Sequence, residues 1–174
     1  VGTVLVSGVV TSAIAFQARW VGVYISRGGI TPVNAGVLHR KHSTVIVEIE
    51  QGSPYPADYF ATVEQAKKQR EQGVKPPLKN SVSNFEAYQI IYLGFPICGT
   101  SVPPVVQTFI SRQNWRDKLI TPFITHGGYG LGNSEDVLAA LAPSARREKP
   151  LVIECDQERK TTETVTQWLT AIRS

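Results

Sequence analysis

Cysteine, acidic residues and long apolar runs are all scarce in this chain, and each scarcity removes a class of explanation. Only Cys98 and Cys155 occur in 174 residues. Two cysteines make no disulfide-stapled scaffold, they lack the paired spacing of a zinc site, and they say little about compartment. Asp and Glu number 14 against 18 Lys and Arg, a net charge of +4, with a pI of about 9.2. The basic residues are scattered except in His39-Arg40-Lys41-His42 and Lys67-Lys68-Gln69-Arg70. Both clusters fall on helical patterns and read as solvated faces; no nucleic-acid stripe is indicated. No apolar run approaches the roughly 20 residues of a membrane span. The nucleoside-triphosphate loop G-x-x-x-x-G-K-[ST] is missing, and so is a G-x-S-x-G nucleophile elbow. The dinucleotide fingerprint G-x-G-x-x-G fails too, because Glu135 stands where the third glycine after Gly130 and Gly132 is required.

What remains is an ordinary globular composition, 42% hydrophobic and 18% charged, enough for one domain with a full core. Residues 1–19 stand apart. Val1–Ala15 is uncharged and rich in Val, Ala, Gly, Ser and Thr. Its β-branched, partly alternating pattern predicts an added strand or packing arm, through which the chain could form a homo-oligomer. The ending Ala13-Ile14-Ala15 leaves a targeting remnant as the alternative. The expected compartment is the cytoplasm, or export if residues 1–15 are such a remnant.

Residues 20–174 alternate two kinds of pattern. The apolar, β-branched runs Trp20–Ser26, Thr44–Glu50, Gln89–Phe95, Leu119–Thr125 and Leu151–Glu154 suit strands buried on both faces of a parallel sheet. Helical patterns lie between them: one opening at Thr31-Pro32, Asp58–Gln72, one opening at Pro103-Pro104, one capped by Asn133 or Ser134, and Thr161–Ile172. Five alternations predict an α/β, doubly wound, five-stranded parallel sheet with helices on both faces. Ligands of such sheets bind outside the carboxyl ends of the strands. The unusual sequence sits in those loops: Ser26-Arg27-Gly28-Gly29-Ile30-Thr31, Pro96-Ile97-Cys98-Gly99-Thr100, and Thr125-His126-Gly127-Gly128-Tyr129-Gly130. The first, two hydroxyls and two glycines entering a helix, can hold a phosphate on backbone N–H groups. The last belongs to a stretch with four glycines at 127, 128, 130 and 132, a costly choice unless something needs a bare backbone.

These loops together resemble the flavodoxin-like proteins of the flavodoxin-4 type. The resemblance rests on Ser26–Thr31 against a usual Thr/Ser-x-Thr/Ser-Gly-x-Thr, on Leu93-Gly94-Phe95-Pro96-Ile97 with Pro103-Pro104, on Ile120–Asn133, and on Tyr55-Pro56-Ala57-Asp58-Tyr59. It implies a three-layer flavodoxin-like fold with strand order 2-1-3-4-5 and bound FMN. Ser26, Arg27, Gly28, Gly29, Ile30 and Thr31 would then hold the phosphate. Pro96, Ile97, Cys98, Gly99 and Thr100 would hold the ring from one side, with the backbone near Gly99 at the flavin N5. Thr125, His126, Gly127, Gly128, Tyr129 and Gly130 would hold it from the other. Three departures stand out. Cys98-Gly99 replaces a usual pair of tryptophans, Gly28 and Ile30 replace a hydroxyl residue and an Asn, and the chain is basic where flavodoxins are generally acidic. Tyr129 is the aromatic expected to compensate for the missing tryptophans.

The implied function is electron transfer through FMN to a redox partner protein or a small acceptor, with no catalytic side chain and no metal. A flavodoxin-fold binding module that has lost FMN and an NAD(P)H-dependent FMN quinone reductase remain as alternatives. Cys98 reads as a small filler, His126 as a loop-ordering or ring-contacting residue, and Tyr92, Phe95, Phe123 and Trp168 as core.

Overall fold

The computed structural model describes residues 20–25, 35–37, 39–40, 45–53, 56, 58–128, 130–154 and 158–171. The expected arm at 1–19, the phosphate loop Ser26–Thr31, Tyr129 and Cys155 lie outside these residues. The strands are β1 (Trp20–Tyr24), β2 (Val45–Glu48), β3 (Ile90–Pro96), β4 (Leu119–His126), β5 (Arg146–Arg147) and β6 (Leu151–Glu154). All pair in parallel, in the order β2-β1-β3-β4-β5, with β6 also on β4. The order is the expected one, and the sheet has six strands where five were expected. The extra strand comes from a broken edge: β5 pairs with Leu119–Ile120 and β6 with Phe123–His126. Between them Pro122 has no N–H to extend the ladder and the register slips by one residue, so the edge splits into two pieces.

The helices are residues 35–37 and 39–40 (α1), α2 (Tyr59–Glu71), α3 (Pro104–Arg112), α4 (Ser134–Leu141) and α5 (Glu158–Ala171). The last begins three residues before the expected Thr161, and the expected opening of α1 at Thr31-Pro32 lies outside the described residues. Asp58 caps α2 by accepting the Ala61 N–H at 2.8 Å. Pro103 and Pro104 start α3 where no intrahelical donor is needed. Alternation along β3 divides the core in two. Ile91, Leu93 and Phe95 face Val105, Val106, Phe109 and Ile110 of α3 and Leu138 of α4. Tyr92 faces the opposite way, toward Val37, Phe123, Val165 and Leu169. Trp168 is half-buried and meets Tyr92 edge-on at 6.2 Å. Gly94 is held small by packing on that second face, since a Cβ there would lie 1.9 Å from the Phe123 ring.

Beneath the first face, Phe85, Phe109 and Trp115 meet edge-to-face at centroid distances of 5.2 to 6.3 Å. Lys118 is only 4% exposed. Its Nζ donates to the carbonyls of Phe85 (3.2 Å), Glu86 (3.1 Å) and Tyr88 (2.6 Å) and lies 5.0 Å from the Phe85 ring centroid. This cation closes the turn before β3 without a carboxylate, because three carbonyl dipoles and a ring face replace its water.

Candidate functional site

The carboxyl ends of β1, β3 and β4 finish side by side. Pro96 is in register with Thr125, and the Ile97 N–H donates to the Thr125 carbonyl at 2.7 Å. The Ile25 N–H donates to the Gly94 carbonyl at 3.0 Å, so the chain leaves β1 for the 26–31 segment at this same edge. Next to it, Tyr24 donates to the Glu48 carboxylate at 3.2 Å. Burial, then the Glu48 charge and hydrogen bond, hold the Tyr24 phenol above its ordinary pKa of 10.0.

Beyond β3 the chain makes a tight turn. Cys98 and Ser101 face each other, with the Cys98 N–H on the Ser101 carbonyl at 3.1 Å. The two residues between them are both left-handed, Gly99 at φ +55° and Thr100 at φ +64°. Glycine adopts that conformation without cost, whereas a β-branched threonine held there stores strain of about 1–3 kcal/mol. Two neighbours keep the turn in place. Arg70 of α2 donates through Nη1 to the Cys98 carbonyl at 2.9 Å and lies 3.6 Å from Cys98 Sγ. Its guanidinium occupies the space a side chain at 99 would fill, since a Cβ on Gly99 would meet Arg70 Nη2 at 2.2 Å. From the other side, the Asn133 N–H donates to the Thr100 carbonyl at 3.1 Å.

The glycine loop after β4 now separates into parts. Gly132 sits against the Thr100 carbonyl, where a Cβ would be 1.9 Å from the oxygen, and its φ of +55° is also left-handed. Gly132 therefore clasps the two loops together. Gly128 and Gly130 take positive φ, and the Gly128 N–H is received by His126 Nδ1 at 3.0 Å, which places the proton of the neutral His126 ring on Nε2. Gly127 is different: its φ lies outside the left-handed region, and a Cβ there would meet nothing within 4 Å among the described residues. Among the described residues, neither packing nor a left-handed φ calls for its bare backbone.

Of the expected ring-holding residues, Pro96, Ile97, Cys98, Gly99, Thr100, Thr125, His126, Gly127, Gly128 and Gly130 all lie on this one edge. Thr125 is buried within β4 and serves the strand, while Gly99 and Thr100 are exposed. Two readings need correction. Cys98 is no apolar filler, because it is only partly buried and its sulfur faces a guanidinium. The basic run at 67–70 is not uniformly solvated. Lys67 and Lys68 form exposed helical pairs with Glu71 and Glu64, at 3.8 and 3.2 Å, while Arg70 turns inward to the loop. The pattern carried that signal: Thr62 and Ala66 are buried on α2, and Arg70 is the next residue at a spacing of four on the same helix face.

The family model described as Flavodoxin, of the flavodoxin-4 type, matches residues 19–172. No curated protein matches the sequence significantly. Among solved structures, a flavoprotein from Bacteroides eggerthii superposes with a TM-score of 0.75 at 23% identity, covering 89% of this chain and 98% of its own. One from Bacteroides uniformis does so with a TM-score of 0.75 at 24% identity, covering 87% and 97%. A Lactobacillus acidophilus flavoprotein in complex with FMN gives 0.67 at 17% identity, covering 84% and 97%. At these identities the solved structures share the fold.

Proposed function

Because the chain belongs to the flavodoxin family, we propose that it binds FMN at the carboxyl edge of β1, β3 and β4 and passes electrons through it. The observation that carries this reading is Gly127. A bare backbone that no described residue approaches within 4 Å, in a loop otherwise ordered by His126 and clasped by Gly132, suits a flat ligand lying against the peptide. The Lactobacillus acidophilus relative with FMN supports the choice of ligand. When bound, FMN supplies the one- or two-electron chemistry, and the protein supplies binding, orientation and electrostatics.

The chain's own residues divide that work. Ser26–Thr31 would hold the phosphate on N–H groups and hydroxyls at the entrance to α1, with Arg27 adding charge. Pro96–Thr100 would form one wall, held by Arg70 and Asn133 so that the Gly99 peptide keeps its place. Thr125–Gly130 would form the other wall, with Tyr129 covering the ring. Titrating FMN into apoprotein should quench flavin fluorescence. Thr31→Glu should abolish that quenching through repulsion of the phosphate, and undiminished binding in the variant would remove the phosphate assignment. The absorbance spectrum of the protein as purified separates a flavoprotein from a module without flavin, and NAD(P)H turnover separates an enzyme from a carrier.

A further inference from the structure

On the α2 side of the 98–101 turn lies an open cleft of about 420 Å³. Its walls carry two cations, Arg70 and Lys75, and among the described residues no carboxylate. The neighbouring Lys67 and Lys68 are neutralised by Glu71 and Glu64. Lys75 forms no ion pair among the described residues and is exposed. Among the described residues Arg70 commits only Nη1, to Cys98, which leaves the rest of its five-donor fork for another acceptor. Asn133 also borders the cleft, and its side chain makes no capping bond to α4. Three unspent sets of donors, two of them charged, thus converge on one cavity.

We infer that this cleft binds a small phosphate- or carboxylate-bearing molecule. An uncompensated pair of cations in a concave wall attracts such a group, and a guanidinium fork matches its planar or tetrahedral oxygens. Gly99 and Thr100 belong both to the cleft and to a wall proposed for the flavin, and Asn133 holds that wall through its N–H on the Thr100 carbonyl. On the reading of the chain as a flavoprotein, from which this inference proceeds, the anion would sit beside the flavin as part of the small molecule that exchanges electrons with it. The basic character of the chain, unusual for its resemblance, then has a local use.

The test titrates FMN-loaded protein with pyrophosphate and, separately, with citrate, following backbone amide shifts by NMR. Saturable shifts are expected at Gly73, Lys75, Gly99 and Asn133. Lys75→Gln and Arg70→Gln should each weaken binding at least about fivefold, through loss of a charge-assisted contact. Arg146→Gln, which removes the same charge at the far sheet edge, should leave the affinity unchanged. Tighter binding of pyrophosphate marks a phosphate ligand, and tighter binding of citrate a carboxylate. Shifts that fail to saturate, that centre on Arg146–Lys149, or that respond equally to Lys75→Gln and Arg146→Gln overturn the inference. Lys75 is exposed, so its variant decides the matter even if Arg70→Gln loosens the turn. Flavin quenching is read in parallel. Lack of quenching with anion binding intact removes the flavin reading alone, whereas normal quenching without anion binding removes the cleft alone.

Discussion

Two glycines of one loop should respond in opposite ways to the same added methyl. In Gly132→Ala the Cβ would lie 1.9 Å from the Thr100 oxygen and 2.6 Å from its carbonyl carbon. Both are backbone atoms, so no side-chain rotation relieves the contact. A left-handed φ adds about 1–2 kcal/mol for an L-residue. Losing the Asn133 bond to Thr100 adds about 0.5–1.5 kcal/mol. With the steric contact added to these two terms, the expected loss is roughly 2–4 kcal/mol, a large part of the 5–15 kcal/mol typical of a domain. At about 2–4 °C per kcal/mol for a chain of this size, the apoprotein should melt about 5–15 °C lower. Gly127→Ala meets no described atom within 4 Å. Its melting temperature should stay near wild type or rise slightly, since alanine restricts the unfolded chain by about 0.4–1 kcal/mol. Its methyl would, however, stand on the surface assigned to the ring, and FMN affinity should fall about tenfold or more, near 1.4 kcal/mol. Circular dichroism melts of apoprotein and FMN fluorescence titrations measure the two effects. Wild-type FMN affinity in Gly127→Ala would refute the ring placement, and a wild-type melt in Gly132→Ala would refute the clasp.

Three further outcomes follow from particular contacts. Lys118→Met keeps the side-chain length but leaves three carbonyls without their donor, so urea unfolding should show a loss of about 2–4 kcal/mol; a loss under about 0.5 kcal/mol would mean that water replaces the ammonium freely. The phenol of Tyr24 is held above its ordinary pKa in the folded state, so its contribution is present below pH 10 and is lost as pH rises through the folded pKa. Tyr24→Phe should therefore remove part of the fall in stability above pH 10, and an unchanged alkaline profile would show that this phenol titrates normally. Tyr129→Ala should weaken FMN binding about tenfold and shift the flavin absorbance band, whereas wild-type affinity and spectrum would mean that Tyr129 never touches the ring.

Strands and helices were legible in the sequence because they depend on local chemistry. Leu151–Glu154 is a strand with the bounds that its β-branched run suggests, and α2 starts after its Asp58 cap and ends before Gly73, left-handed at φ +62°. Alternation of strand and helix with right-handed crossovers predicted a parallel sheet, again a chain-local rule, whereas the order β2-β1-β3-β4 was implied only by the family resemblance. The clustering of the 96–100 and 125–130 loops followed from the same rule, since parallel strands all end at one edge. Tertiary structure decided what depends on atoms far apart in the chain. The edge strand broke in two where Pro122 can donate no N–H and the register slips by one residue, from Ile120↔Arg147 to Phe123↔Leu151. Gly127 and Gly132 look equivalent in sequence, yet only the approach of Thr100 makes one indispensable to packing and leaves the other bare. Arg70 read as one more solvated cation until the turn at Cys98 was folded against it, because whether a charge meets water or a carbonyl is settled by the partner's position and not by the charge itself.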